Sequence, residues 1–126
     1  EKPRSLASVT KIMTALVVLE DHPIPRGEKG PSIAITAADV ENYRRELADG
    51  QSVVPVAAGS QMTEYQLLQG VLIPSGNNMA EIAAVFDAGS VEAFVTKMNA
   101  KAAALGLKGT ITVQVSATAE QGSVRV

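Results

Sequence analysis

A serine and a lysine stand three residues apart in Leu6-Ala7-Ser8-Val9-Thr10-Lys11-Ile12-Met13, a stretch that is otherwise almost entirely apolar. At 100° per residue, a helix places Ser8, Lys11, Ala15, Val18 and Leu19 on one face and the polar residues Thr10, Thr14 and Asp21 on another. Burial disfavours the charged form of a lysine, and a neutral amine can accept the proton of a hydroxyl one turn away. The pair therefore fits a serine nucleophile, Ser8, with Lys11 as its base. An ordinary reading stands beside this one, because Ser-x-x-Lys arises readily by chance. In it Ser8 caps a helix, and Lys11 lays its stem on apolar surface while its ammonium reaches water.

A second polar element lies downstream, where Ser75-Gly76-Asn77 interrupts two helix-like runs, Gln66 to Pro74 and Asn78 to Ala84. Such a loop can present a hydroxyl and an amide to a cleft, although an Asx or serine turn joining two helices would use the same residues. Ser-x-x-Lys followed by a Ser-x-Asn element belongs to a known set of acyl-transfer motifs. The flanks Ala7 to Leu16, Leu72 to Asn78 and Phe94 to Ala102, with Leu105-Gly106-Leu107 beyond, occur in the order of one family. Over about residues 1–109 the chain resembles the serine D-alanyl-D-alanine carboxypeptidases, the low-molecular-mass penicillin-binding proteins.

The resemblance implies a mechanism. Ser8 would attack the carbonyl between two terminal D-alanines of a peptidoglycan stem peptide, and water would hydrolyse the acyl-enzyme. Lys11 would take the serine proton, Ser75 would relay a proton to the leaving amine, and Asn77 would bind the peptide's acyl side-chain amide. β-Lactam antibiotics would acylate the same Ser8. No cofactor is implied. The family's third element, Lys-Thr-Gly, does not occur in the 126 residues; Lys108-Gly109-Thr110 has the letters in another order. A class A β-lactamase also carries an acidic deacylation motif that nothing here matches, so carboxypeptidase is favoured over lactamase. The alternative is a non-catalytic remnant or excised helical lobe of such a protein.

Composition sets the wider bounds. A chain of 126 residues with 46% hydrophobic residues suits one domain with a real core. The net charge of −2, with acids and bases intermixed, gives neither a nucleic-acid footprint nor a polybasic membrane patch. Without cysteine, and with His22 as the sole histidine, thiolate and histidine-cluster metal sites are excluded. His22, between Asp21 and Pro23, reads as a solvated loop residue. Apolar runs such as Ala15-Leu16-Val17-Val18-Leu19 fall far short of the ~20 residues needed to span a bilayer, so no transmembrane segment is expected. The seven residues before Ser8 hold no basic-then-apolar leader, so any export signal is expected to have been removed or to lie outside the sequence. The family's place of work implies an extracytoplasmic location.

The elements that must position these residues follow from the pattern. A first helix is expected from Ser8 to about Asp21, ended by His22-Pro23-Ile24-Pro25, which would put Ser8 at the positive end of the helix dipole. Ser32 to Ile35 alternates like a short strand, and Thr36 with Asp39 opens a helix ending near Gly50 whose Asn42 to Glu46 stretch reads as a charged face. Gln51 to Ser60 reads as extended and irregular chain. Thr63-Glu64-Tyr65-Gln66 is a capping box for the helix leading to Pro74. Further helices are expected from Asn77 or Asn78 to about Ala88 and from Val91 to Ala104, closing at Gly106. Ile111, Val113 and Val115 alternate with polar residues as in a strand. The expected class is α+β and predominantly helical: the helical lobe of the penicillin-binding protein and serine β-lactamase-like fold, residues 1–109, with an incomplete sheet and a short β tail at 110–126.

Overall fold

The computed structural model describes residues 2–106, with side chains from Thr10 onward. The expected β tail lies outside the described residues. Five helices and a two-stranded sheet follow one another as α1 (Lys2–Asp21), β1 (Ser32–Ala34), α2 (Ala37–Ala48), β2 (Gln61–Thr63), α3 (Glu64–Leu72), α4 (Asn77–Ala88) and α5 (Val91–Ala104). The helical lobe expected from the sequence is the observed architecture.

α4 is the central post, packed by α1, α2, α3 and α5. Every residue from Asn78 to Ala84 is buried, and the small side chains of Ala80, Ala83 and Ala84 let the neighbouring helices approach on all sides. Phe94, Met98 and Ala102, spaced by four on α5, join Val18, Leu67 and Val71 in the same core. β1 and β2 pair antiparallel with Ile33 opposite Met62. The sequence reading had β1 but assigned no element to Gln61 and Met62 of β2, because a three-residue strand is too short to show a period.

The caps behave as expected. Thr36 and Asp39 close a reciprocal capping box on α2, and Thr63 and Gln66 close one on α3. α2 ends in a Schellman motif: Gln51 N–H donates to the Glu46 carbonyl and Gly50 N–H to that of Leu47, both at 3.0 Å. That turn requires a left-handed residue, supplied by Gly50 at φ +77°.

α1 departs from the expectation twice. It starts at Lys2, with Pro3 tolerated in its first turn, so Ser8 lies within the helix and the end-dipole contribution expected there is withdrawn. Two of the three residues of its polar stripe also point inward, Asp21 remaining exposed. Thr10 and Thr14 are buried, Thr14 satisfying its hydroxyl on the Thr10 carbonyl at 2.9 Å, whereas Ile12 is 60% exposed and Leu16 40%. A threonine that bonds back to its own helix presents a methyl group and packs as a small hydrophobe.

Candidate active site

The site forms where α1 crosses the loop between α3 and α4. Lys11 is 9% exposed, and its Nζ donates to the Ser75 carbonyl at 3.0 Å and to Asn77 Oδ1 at 3.1 Å. Three of the four expected residues are thus brought together across more than sixty positions of sequence. The fourth, Ser8, stands one turn before Lys11 on the α1 backbone; its side chain lies outside the described residues.

The loop reaches Lys11 through an unusual backbone. Ser75 has φ +56°, the only non-glycine in the left-handed region among the described residues. Such a conformation costs an L-residue about 1–2 kcal/mol and persists only where its surroundings impose it. Here Gly76 N–H donates to the Gly70 carbonyl at 3.0 Å, and Asn77 N–H to the Ser52 carbonyl at 2.8 Å. Both ends of the turn are pinned, and the Ser75 carbonyl faces the lysine. Gly70 permits this closeness, since a Cβ there would stand 2.5 Å from the Met79 Cε.

Two amides hold the entrance of α4 against residues 51–54. Asn77 Nδ2 donates to Gln51 Oε1 at 2.8 Å. Asn78, 1% exposed, accepts from the Val54 N–H at 2.9 Å and donates to its carbonyl at 2.8 Å, satisfying both backbone groups as a strand partner would. The sequence reading missed both contributions. Asn78 appeared there only as a possible first residue of α4, and Gln51 carried no signal because its partner is 26 residues away.

The model of the family described as D-alanyl-D-alanine carboxypeptidase matches residues 1–124. The chain belongs to this family. Among curated relatives, D-alanyl-D-alanine carboxypeptidase DacF of Bacillus subtilis is 38% identical over 117 residues, which are 92% of this chain and 28% of that protein. A D-alanyl-D-alanine endopeptidase of Pseudomonas aeruginosa is 40% identical over 110 residues, 86% of this chain and 32% of that one. The chain therefore spans less than a third of either relative. Among solved structures, the Streptomyces K15 DD-transpeptidase superposes with a TM-score of 0.64 at 31% identity, over 82% of this chain and 41% of that one. Penicillin binding protein 6B from Escherichia coli gives 0.67 at 26% identity, over 82% of this chain and 34% of its own.

Outside the motif residues, this D-alanyl-D-alanine carboxypeptidase family member buries several charges. Glu46, expected on a charged outer face, is 3% exposed and faces Glu81 of α4, which is 7% exposed. Burial first, and then the hydrogen bond to Glu46, push the Glu81 carboxyl up to about 9. His22 is likewise no free loop residue. Its ring centroid lies 4.5 Å from that of Phe86, and its Nε2 is 3.3 Å from Asp87 Oδ1, a side chain with no exposed surface. Lys97 bridges Asp87 at 2.9 Å and Asp21 at 2.6 Å, tying together α5 and the C-terminal ends of α4 and α1. Its hydrogen bond holds the Asp21 carboxyl below the ordinary range, while burial outweighs it at Asp87 and raises that carboxyl.

An apolar groove of about 430 Å³, lined in part by Leu19, Ile24, Leu68, Leu72 and Ile73, lies between the C-terminal end of α1 and α3 and includes none of the motif residues. Among the described residues no helix is long and apolar enough to cross a membrane.

Proposed function

We propose that this chain is the nucleophile-bearing helical lobe of a serine-type D-alanyl-D-alanine carboxypeptidase acting on peptidoglycan stem peptides outside the cytoplasm. The observation that carries the reading is the seat of Lys11. A neutral amine has two N–H bonds and one lone pair. The Ser75 carbonyl and Asn77 Oδ1 take two tetrahedral directions of Nζ, and the stem of the side chain takes a third. Donation to these two acceptors uses both N–H bonds of a neutral amine, and its lone pair is then the group that would accept the Ser8 proton.

The steps then balance. Ser8 Oγ bonds to the carbonyl carbon between the two D-alanines as Lys11 takes its proton, and the C–N bond breaks as the proton passes through the Ser75 hydroxyl to the leaving D-alanine amine. Water hydrolyses the resulting ester and restores Ser8. Asn77 shares its Oδ1 with Lys11, so its amide lies close enough to the chemistry to orient a peptide as well. A β-lactam would enter the same path, its ring amide standing in for the scissile bond.

The test is incubation with a fluorescent penicillin followed by mapping of the labelled peptide by mass spectrometry. The expected result is one label, on Ser8; a label elsewhere, or none, overturns the assignment. A second reading is a lobe of such a protein that does not itself turn over substrate. Release of D-alanine from a D-Ala-D-Ala peptide separates the two, because a lobe without turnover releases none.

A further inference from the structure

We infer that Gln51 is a positioning residue, which fixes the Asn77 amide so that its Oδ1, and not its Nδ2, faces Lys11. The inference rests on the function proposed above and concerns a residue that none of the recognised motifs contains.

A side-chain amide is nearly symmetric in shape and opposite in chemistry at its two ends, so its orientation is decided by its partners. Asn77 stands between Gln51 Oε1, 2.8 Å from its Nδ2, and Lys11 Nζ, 3.1 Å from its Oδ1. Turned over, it would set its donor against a charged lysine or occupy the lone pair of a neutral one, and set acceptor against acceptor at the glutamine. Gln51 could turn over in concert, but its own Nε2 faces Asp49 Oδ2 at 3.3 Å, and an ionised carboxylate only accepts. A directional series results, from Asp49 through Gln51 and Asn77 to Lys11, in which each donor meets an acceptor.

The backbone that carries Gln51 is equally constrained. The Schellman turn at the end of α2 holds its N–H on the Glu46 carbonyl, and the next residue's carbonyl, that of Ser52, takes the Asn77 N–H. The side chain of Gln51 is half-buried, which shelters its bond to Asn77 from competing water. α2, which contributes no motif residue, thereby sets the acceptor beside the base.

Three substitutions of similar reach separate this role from simple packing. Gln51→Glu keeps an acceptor toward Asn77, Gln51→Met has none, and Gln51→Lys offers only donors and favours the turned-over amide. At saturating fluorescent penicillin, the acylation rate constant is expected to stay near the parental value for Gln51→Glu. It should fall about tenfold for Gln51→Met, the scale of a modest misplacement of a catalytic group, and further for Gln51→Lys. Equal rates for the parent and Gln51→Met, or an equal loss in Gln51→Glu and Gln51→Met, overturn the inference, as does a ranking that follows thermal stability instead of acceptor character.

The same variants are read independently by the Asn77 Nδ2 proton signals in ¹⁵N–¹H spectra. Gln51→Met and Gln51→Lys should move these signals and Gln51→Glu should leave them near their parental positions; unmoved signals in Gln51→Met overturn the inference. If the parent takes no label on Ser8, the proposed function fails, and the amide signals still decide whether Gln51 orients Asn77.

Discussion

Ser75 carries two burdens, a strained backbone and a hydroxyl, and substitution can separate them. Ser75→Gly removes the left-handed cost while adding unfolded-state freedom, so its stability should lie between parental and about 1 kcal/mol higher by urea denaturation. Ser75→Ala keeps the strain and should gain nothing. Both lose the hydroxyl, and acylation by penicillin should fall about 10²-fold in each, the scale of lost acid–base assistance. Parental acylation in Ser75→Gly would remove the hydroxyl from the proton path. At this scale the motif residues were legible because their types are rare in apolar surroundings: a lysine on a hydrophobic face and a polar tripeptide between two helices. Gln51 and Asn78 were not, since an amide's role depends on which backbone or side chain lies across from it, and here that partner is 24 to 26 residues away.

At the scale of elements, the contact between α3 and α4 sets the position of the loop. Gly70 lets Met79 lie against the α3 backbone, and the Gly70 carbonyl receives the Gly76 N–H. Gly70→Ala places a methyl group 2.5 Å from the Met79 Cε and 3.0 Å from its Cγ, so thermal unfolding should show a loss of about 1–3 kcal/mol by overpacking. Adding Met79→Ala to that variant should cost less than Met79→Ala does in the parent, because the cavity accepts the methyl. Strictly additive losses would show that the two side chains do not compete for space. Capping boxes, prolines and glycines made the boundaries of α2 to α5 readable, as chemistry local to three or four residues. The inward face of α1 was not, because Thr14 resolves its polarity within its own helix and nothing in the pattern distinguishes that from exposure to water.

For the whole molecule, the buried Glu46–Glu81 pair between α2 and α4 makes stability depend on pH. Glu81 binds its proton in the folded state up to about pH 9, but an unfolded chain releases it near the ordinary glutamate value of 4.5. Between those values the folded state holds more protons, so this contribution is fully present below about pH 4.5 and is lost as pH rises to about 9. Glu81→Gln keeps the shape without the titration. The melting temperature of the variant relative to the parent should therefore climb from pH 5 to pH 9, and a flat or falling difference would place the charge elsewhere. Arg45 and Asp39 also act on this carboxyl, Arg45 favouring its ionised form and Asp39 opposing it, and Arg45→Ala and Asp39→Ala should shift the profile in opposite directions. The helical architecture was legible from periodicity, whereas this pair was not, because a glutamate in an amphipathic stretch reads as solvated until its helix is docked.

The bond from Lys11 to Asn77 joins residues 66 positions apart, with the rest of α1, both strands, α2 and α3 between them. Forming it requires closure of a long loop, whose entropy cost is met only once the intervening helices pack. Before assembly, the lysine and the loop that seats it are separated in solution, so the proposed chemistry requires this long-range contact to have formed. A molecule emerging from synthesis, or one opened by heat, carries Lys11, Ser75 and Asn77 without the geometry on which the proposed reactivity depends.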